Sequence, residues 1–231
     1  MIHSSPFLAA FVKGRFSLLL VSFALLFFIA PLFPGDQTVA DRVFGIFSLV
    51  VLGSCIRAIS RTKRFFCFMV VFTLANIGIG SFEILSDMEP HTFKAVVLVF
   101  RAAYFMVVFF SIMGYVLDDS PVTGDKICGA ISAYMLMGIT WTFVYTLFFH
   151  FDPTCINVPE TFVSGETVNS TWAFYFSFTT LTTLGYGDMV PKTPALQSYA
   201  IMEAVCGQVF LAVIIARLIA LHITHERDGN S

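Results

Sequence analysis

Charged and strongly polar residues fall into a few short clusters, and between the clusters the chain stays apolar over long distances. Six apolar runs stand out, at 16–33, 43–59, 65–85, 93–117, 127–149 and 195–223. Each has about the 17–25 residues that a helix needs to cross a hydrocarbon core. The breaks carry stop and turn residues. Pro34-Gly35 ends the first run, Ser86-Asp87-Met88-Glu89-Pro90 separates the third from the fourth, and Pro121 and Gly124 lie in the linker 118–125. A longer polar loop, 150–169, follows the fifth run. The pattern predicts an all-α polytopic membrane protein with six transmembrane helices.

Composition strengthens this reading. Of 231 residues, 57% are hydrophobic and 12% charged, against about 25% charged in soluble domains. Mean hydropathy is +0.84. A net charge of −2 gives no electrostatic case for nucleic acid as a partner. The first run follows Lys13 and Arg15, as a signal peptide would, but it is long for one and Pro31-Leu32-Phe33-Pro34 is a poor cleavage site. It is therefore read as a span. Cys55, Cys67, Cys128 and Cys206 fall in apolar runs and read as small hydrophobes. Cys155, in a loop, can pair with a symmetry mate, although a free thiol is the favoured reading.

Lys and Arg in short loops set the orientation. With the N-terminus inside, the inner side collects Lys13, Arg15, Arg57, Arg61, Lys63, Arg64, Lys126 and Arg227. The outer side keeps Arg42, Lys192 and Lys94. Both termini are then cytoplasmic, and the chain lies in the cell (plasma or inner) membrane. The loop 150–169 is outside and carries Asp152, Glu160 and Glu166 without Lys or Arg. Repeated around a pore mouth, these acids would concentrate cations within a Debye length of about 8 Å. An ordinary solvated loop is an equal reading. Asn169-Ser170-Thr171 matches a glycosylation sequon, but Asn169 or Ser170 as a helix cap is favoured.

The stretch between the fifth and sixth runs carries the chemistry. Thr179-Thr180-Leu181-Thr182-Thr183-Leu184-Gly185-Tyr186-Gly187-Asp188 resembles the selectivity filter of the potassium channel family. The resemblance is specific over residues 171–221 and only architectural over the first 120. It implies a short re-entrant pore helix over 170–182, then an extended filter returning outward. A cation leaving water needs oxygens to replace its hydration shell, and carbonyls facing one axis supply them. Such a backbone alternates with left-handed conformations, which Gly adopts at little cost, so Gly185 and Gly187 suit it. The resemblance implies potassium ions at Thr183, Leu184, Gly185 and Tyr186, with Gly187 completing the outer mouth. It turns the Tyr186 ring away from the pore, into pore-helix aromatics. Tyr175, Phe176, Thr179, Thr182 and Asp188 are implied as filter support, with Asp188 bonded to Tyr175. Some two-helix relatives have Glu at the place of Thr179, so their filter inactivation is not carried over. A single filter per chain implies a homotetramer.

The sixth run resembles the inner, pore-lining helix. Gly207 stands where the family often has a hinge, and close helix packing is an equal reading. Phe210, Leu211 and Ile214 are candidates for a cavity wall or gate. Glu203 is a carboxyl within a span. A hydrogen bond to the pore-helix threonines is favoured for it over lining the ion path. Arg217 is expected to snorkel to the inner interface. The fourth run holds only Lys94 and Arg101, not the charge stripe of a voltage sensor, and Arg101 is expected to form a structural ion pair with Glu83. The division expected is 1–120 as a non-sensing four-helix domain, 121–223 as the pore domain and 224–231 as a tail too short for a sensing module. His222 and His225, at the end of the sixth run and just beyond it, read as interfacial.

These readings converge on a passive potassium-selective channel with little intrinsic voltage dependence. It is not an enzyme, has no cofactor, and takes potassium ions and a bilayer as partners. A poorly selective cation channel, a potassium-translocating subunit of a larger transporter and a non-conducting scaffold are the alternatives.

Overall fold

The computed structural model describes residues 14, 16–29, 50–51, 63–85, 91–164, 167–168 and 171–229. Among them the fold is all-helical apart from one small hairpin. The helices are α1 (Ser17–Ile29), α2 (Lys63–Leu85), α3 (His91–Val116), α4 (Gly124–Phe151), α5 (Thr171–Leu181) and α6 (Pro194–Gly229). Among the described residues three stretches are long and apolar enough to cross a membrane: Phe93–Val116, Gly124–Phe151 and Pro194–Leu221. The expected second span, 43–59, falls outside the described residues except for 50–51.

Local chemistry sets the helix ends. Thr123 is extended at φ −109°, ψ 161°, and its hydroxyl accepts the Lys126 N–H at 3.4 Å. This cap starts α4 slightly ahead of the apolar run, inside what the sequence presents as linker. Thr193 does the same for α6, accepting Leu196 N–H on its hydroxyl at 3.4 Å and Gln197 N–H on its carbonyl at 3.0 Å. Pro194 follows at the first helical position, where its missing N–H costs nothing.

α3 packs along α4, and α1 and α6 also lie on α4. One apolar core runs through these contacts. It includes Phe16, Leu19 and Phe23, then Tyr104, Phe105, Val108 and Ile112, then Leu136, Ile139 and Phe143. Phe105 stacks on Phe143 with centroids 5.6 Å apart and planes 13° from parallel. The core therefore crosses residue 120 without interruption. Polar ties do as well. Asp125 Oδ1 accepts the Phe16 N–H at 2.8 Å, and its other oxygen accepts the Tyr115 hydroxyl at 3.3 Å.

The linker between α3 and α4 is bound to both of its surroundings. Lys126 is buried, and its ammonium donates to the carbonyls of Asp118 and of Ser120, the latter at 2.7 Å. Arg217 of α6 pairs with Asp119. The Glu83–Arg101 pair lies outside the described residues, since the Glu83 side chain is not among them.

A second, smaller core surrounds α5. Tyr145, Cys155, Ile156, Trp172, Ala173, Phe176, Met189 and Leu196 pack together there. The loop after α4 thus holds more order than its polar sequence suggests. It contains a turn of 3-10 helix, Glu160–Phe162, and a hairpin of β1 (Val163–Ser164) with β2 (Thr167–Val168). Val163 pairs antiparallel with Val168.

Candidate functional site

The short helix α5 delivers the chain to the candidate site. It is apolar and β-branch-poor until Thr179, and it buries Trp172, Ala173, Phe176, Ser177 and Leu181. Trp172 packs its ring 5.0 Å from Phe149, and Phe176 packs edge-on to Tyr145 at 4.8 Å. Helix C-termini leave four carbonyls without intrahelical partners. Here all four are met. Phe178 O accepts Thr182 N–H at 3.1 Å and the Thr182 hydroxyl at 2.6 Å. Thr179 O accepts Leu184 and Gly185 N–H at 2.9 and 3.1 Å, and Thr180 O accepts Thr183 N–H at 2.9 Å. Leu181 O accepts the Tyr134 hydroxyl at 3.1 Å. The residues that leave α5 thus fold back onto its end and fix where the next segment starts.

That segment, 182–188, is exposed throughout. Its backbone is left-handed at every second residue, with φ of +58° at Thr183, +49° at Gly185 and +82° at Gly187. The two glycines adopt this freely. Thr183 is β-branched and does not; such a residue costs of order 1–3 kcal/mol and persists only where its surroundings impose it. Among the described residues no hydrogen bond from the chain reaches the carbonyls of Thr183, Leu184, Gly185, Tyr186 or Gly187. Five successive carbonyls are left available on a strained, regularly alternating backbone.

The far end of the segment is pinned as firmly as the near end. Tyr175 of α5 donates to Asp188 Oδ2 at 2.7 Å, and Asp188 Oδ1 accepts Met189 N–H at 3.1 Å. Beyond it, Asn157 N–H donates to Val190 O at 3.2 Å and Lys192 N–H to Cys155 O at 2.7 Å. These bonds form a short bridge of Ile156 with Pro191. Cys155 is therefore enclosed in its own chain, a free thiol at 1% exposure, and not presented to a symmetry mate. Thr179 turns its hydroxyl to Phe176 O at 3.0 Å, within α5. The Tyr186 ring is 70% exposed in the single chain. The aromatics of α5 in its own chain do not receive it; they are already packed against α4 and the loop.

α6 differs from the sequence expectation in which residues face where. Glu203 is at 0% exposure, so it does not lie on an open face that could line a path. It meets Tyr145 of α4 and, at 2.6 Å, the hydroxyl of Ser177 of α5, and not the threonines. Gly207 packs against Leu181, whose carbonyl oxygen would lie 2.6 Å from a Cβ placed there, and α6 continues past it unbroken. Close packing, not a bend, is the role seen. Ile214 is buried, and Phe210 packs on Tyr134 and Phe109 at 5.8 and 6.0 Å. Neither is available as a cavity wall, because the face they share is the one α6 turns to its own chain. Leu211 remains on the exposed side, with Met202, Val205, Val209 and Val213. Arg217 is held by Asp119 of the linker instead of reaching freely to an interface.

Sequence reasoning missed Gly138, Tyr134, Tyr145 and Ser177. Gly138 of α4 faces the Phe178 ring, 2.7 Å from where a Cβ would stand, so any side chain there would displace that ring. Its carbonyl accepts the Ser177 hydroxyl at 2.8 Å. A glycine and a tyrosine in the fifth apolar run were visible as polar or small interruptions, but nothing local names their partners in α5 and α6.

Residues 146–222 match the family model described as ion channel. A stretch of 57 residues is 40% identical to the inward rectifier potassium channel Kirbac3.1 of Paramagnetospirillum magnetotacticum. That match covers 25% of this chain and 19% of the relative's length. No solved structure matches the chain.

Proposed function

We propose that this multi-pass membrane protein, whose residues 146–222 carry an ion channel domain similar to the potassium channel family, is a homotetrameric potassium-selective channel. One observation carries the reading. The segment 183–187 alternates in left-handed backbone at Thr183, Gly185 and Gly187 and leaves its carbonyls without partners in the chain. Four such segments around an axis would replace the hydration shell of a potassium ion with rings of oxygen. A single chain cannot do so, which is why a closed fourfold ring belongs to the proposal. The exposed ring of Tyr186 and the exposed side of α6 are then surfaces for neighbouring subunits and the pore.

In this reading α5 is a re-entrant pore helix and α6 the inner helix. The arrangement has six spans, with both termini cytoplasmic and 1–120 preceding the pore region 121–223. Non-helical backbone is tolerated at membrane depth when it lines water inside protein. The ion is cargo and not a resident cofactor, and no catalysis is proposed.

Flux from liposomes holding the purified full-length protein tests the proposal. Potassium efflux with little sodium efflux is expected. Equal sodium flux would remove selectivity, and no flux would remove conduction by the chain alone. Gly185→Ala adds a Cβ at φ +49°, and is expected to abolish selective flux while leaving the oligomer. Normal potassium flux from that variant would refute the filter assignment.

A further inference from the structure

Between α4, α5 and α6 lies a buried polar cluster whose protons can be counted. Glu203 of α6 is fully enclosed. Its Oε2 receives the Tyr145 hydroxyl of α4, and its Oε1 stands 2.6 Å from Ser177 Oγ of α5. The same Ser177 oxygen lies 2.8 Å from the Gly138 carbonyl oxygen of α4. Each of these three contacts needs one proton. Tyrosine and serine bring one each, and a carbonyl brings none. The Gly138 contact can only use the Ser177 proton, and the Oε2 contact uses that of Tyr145. The contact between Glu203 Oε1 and Ser177 Oγ is then left for a proton on Glu203 itself.

An ionised Glu203 would have to take the Ser177 proton. Ser177 Oγ and Gly138 O would then face each other at 2.8 Å as two acceptors with no proton between them, a repulsive contact in the interior even though Gly138 O also accepts the Thr142 hydroxyl at 3.0 Å. The surroundings argue the same way. No cation pairs with Glu203 among the described residues, and a buried carboxylate without one is among the costliest groups in a protein. The titratable groups facing it are Tyr145 and Tyr134, both from α4; α5 presents Ser177.

We infer that Glu203 is a neutral carboxylic acid donating from Oε1 to Ser177, and that it is a positioning residue holding the base of the candidate filter. The bonds run from Glu203 to Ser177 to Gly138 and return from Tyr145 to Glu203, so one closed circuit joins three helices. The Phe178 ring of α5 occupies the space a Cβ at Gly138 would need. Further along α5, Leu181 is gripped by Tyr134 and packed on Gly207, and Thr183 begins the left-handed backbone. Ser177 is thus the first tie in a series that ends at the filter. Removing the Glu203 proton leaves two protons for three contacts and breaks the Ser177–Gly138 tie between α5 and α4. The consequence for conduction rests on the channel reading above; the protonation state does not.

The test uses the full-length protein and two readouts. In the infrared spectrum at neutral pH, the carbonyl stretch of a protonated carboxylic acid is expected in the wild type and lost in Glu203→Gln. Its absence from the wild type, or its survival in the variant, would overturn the inference whether or not the protein conducts. In liposomes, Glu203→Gln keeps a donor for Ser177 and an acceptor for Tyr145, so it is expected to retain potassium flux at neutral pH. Glu203→Ala and Ser177→Ala are expected to lower it tenfold or more. The wild type is expected to lose flux as the pH is raised, and Glu203→Gln to be insensitive over the same range. Loss of flux in Glu203→Gln equal to that in Glu203→Ala would show that the charge is needed and overturn the inference. A wild type that shows the infrared band but no flux would overturn the channel reading and leave the neutral acid standing.

Discussion

Gly207 shows how a single residue can be read in opposite directions and then decided by distance. In a helix interior, Gly→Ala ordinarily stabilises by roughly 1 kcal/mol, because alanine restricts the unfolded chain and favours the helix. If Gly207 served only to bend α6, Gly207→Ala would follow that rule. The added Cβ, however, would stand 2.6 Å from Leu181 O, a backbone atom that cannot swing aside. That oxygen is also held by the Tyr134 hydroxyl at 3.1 Å. Overpacking of this kind costs about 1–3 kcal/mol, which outweighs the propensity gain. Gly207→Ala is expected to lower the melting temperature of the protein in detergent, and a higher one would restore the hinge. The sequence shows the glycine but not the carbonyl against it, since Leu181 and Gly207 belong to different helices. The same limit applies to Thr183. Left-handed backbone at Gly185 and Gly187 is legible from the residue type, whereas Thr183 adopts it against its β-branched preference.

At the scale of elements, the apolar runs were legible because a helix in lipid must be apolar along its whole length. α3, α4 and α6 follow them closely. Their first turns were less legible, since Thr123 and Thr193 cap from within what reads as linker. Least legible was the loop after α4. Its charged residues suggest a solvated connection, yet Cys155 and Ile156 are buried and bonded to the chain beyond the candidate filter. This clamp has a chemical signature. Burial, with the Asp152 carboxylate adding to it, pushes the Cys155 thiol up from 9.0 to about 11. Folding therefore favours the protonated thiol, and its contribution is fully present below the ordinary value and lost as the pH rises through about 11. At pH 8 the folded protein is expected to alkylate at Cys155 roughly a hundredfold more slowly than the unfolded chain. Mass spectrometry of the Cys155 peptide reads this directly. Equal rates would mean that the loop is open and the far end of segment 182–188 unpinned.

At the scale of the whole molecule, α1–α3 share one core with α4 and α6. Phe105 of α3 is 3% exposed and stacks on Phe143 of α4. Phe109 of α3 reaches Phe210 of α6. Phe105→Ala is expected to destabilise the protein, by less than the about 3–5 kcal/mol typical of soluble cores. Lipid already shelters an exposed phenylalanine from water, so only the packing part of the loss remains. A thermal shift confined to α1–α3 would contradict a shared core.

If the chain conducts as proposed, mechanical connection of this kind serves gating only when something moves α1–α3. Voltage is a weak candidate. Each elementary charge crossing the field contributes about 2.3 kcal/mol per 100 mV, so steep gating needs several charges per subunit. α3 carries Lys94, which is exposed, and Arg101, which has interactions within the fold. Lys126 is buried against the carbonyls of Asp118 and Ser120, and Arg217 is paired with Asp119, so neither is a loose charge in the field. In symmetric potassium the conductance is therefore expected to change little with voltage between strongly negative and strongly positive potentials. A steep sigmoidal conductance–voltage curve in planar bilayers would show that Arg101 and Lys94, or charges outside the described residues, do move. The Arg217–Asp119 pair is exposed enough that its loss would cost at most about 1 kcal/mol. Asp119→Asn therefore separates two roles. If the linker transmits movement from α3 to α6, the variant shifts open probability without shifting the melting temperature or the shape of the voltage curve.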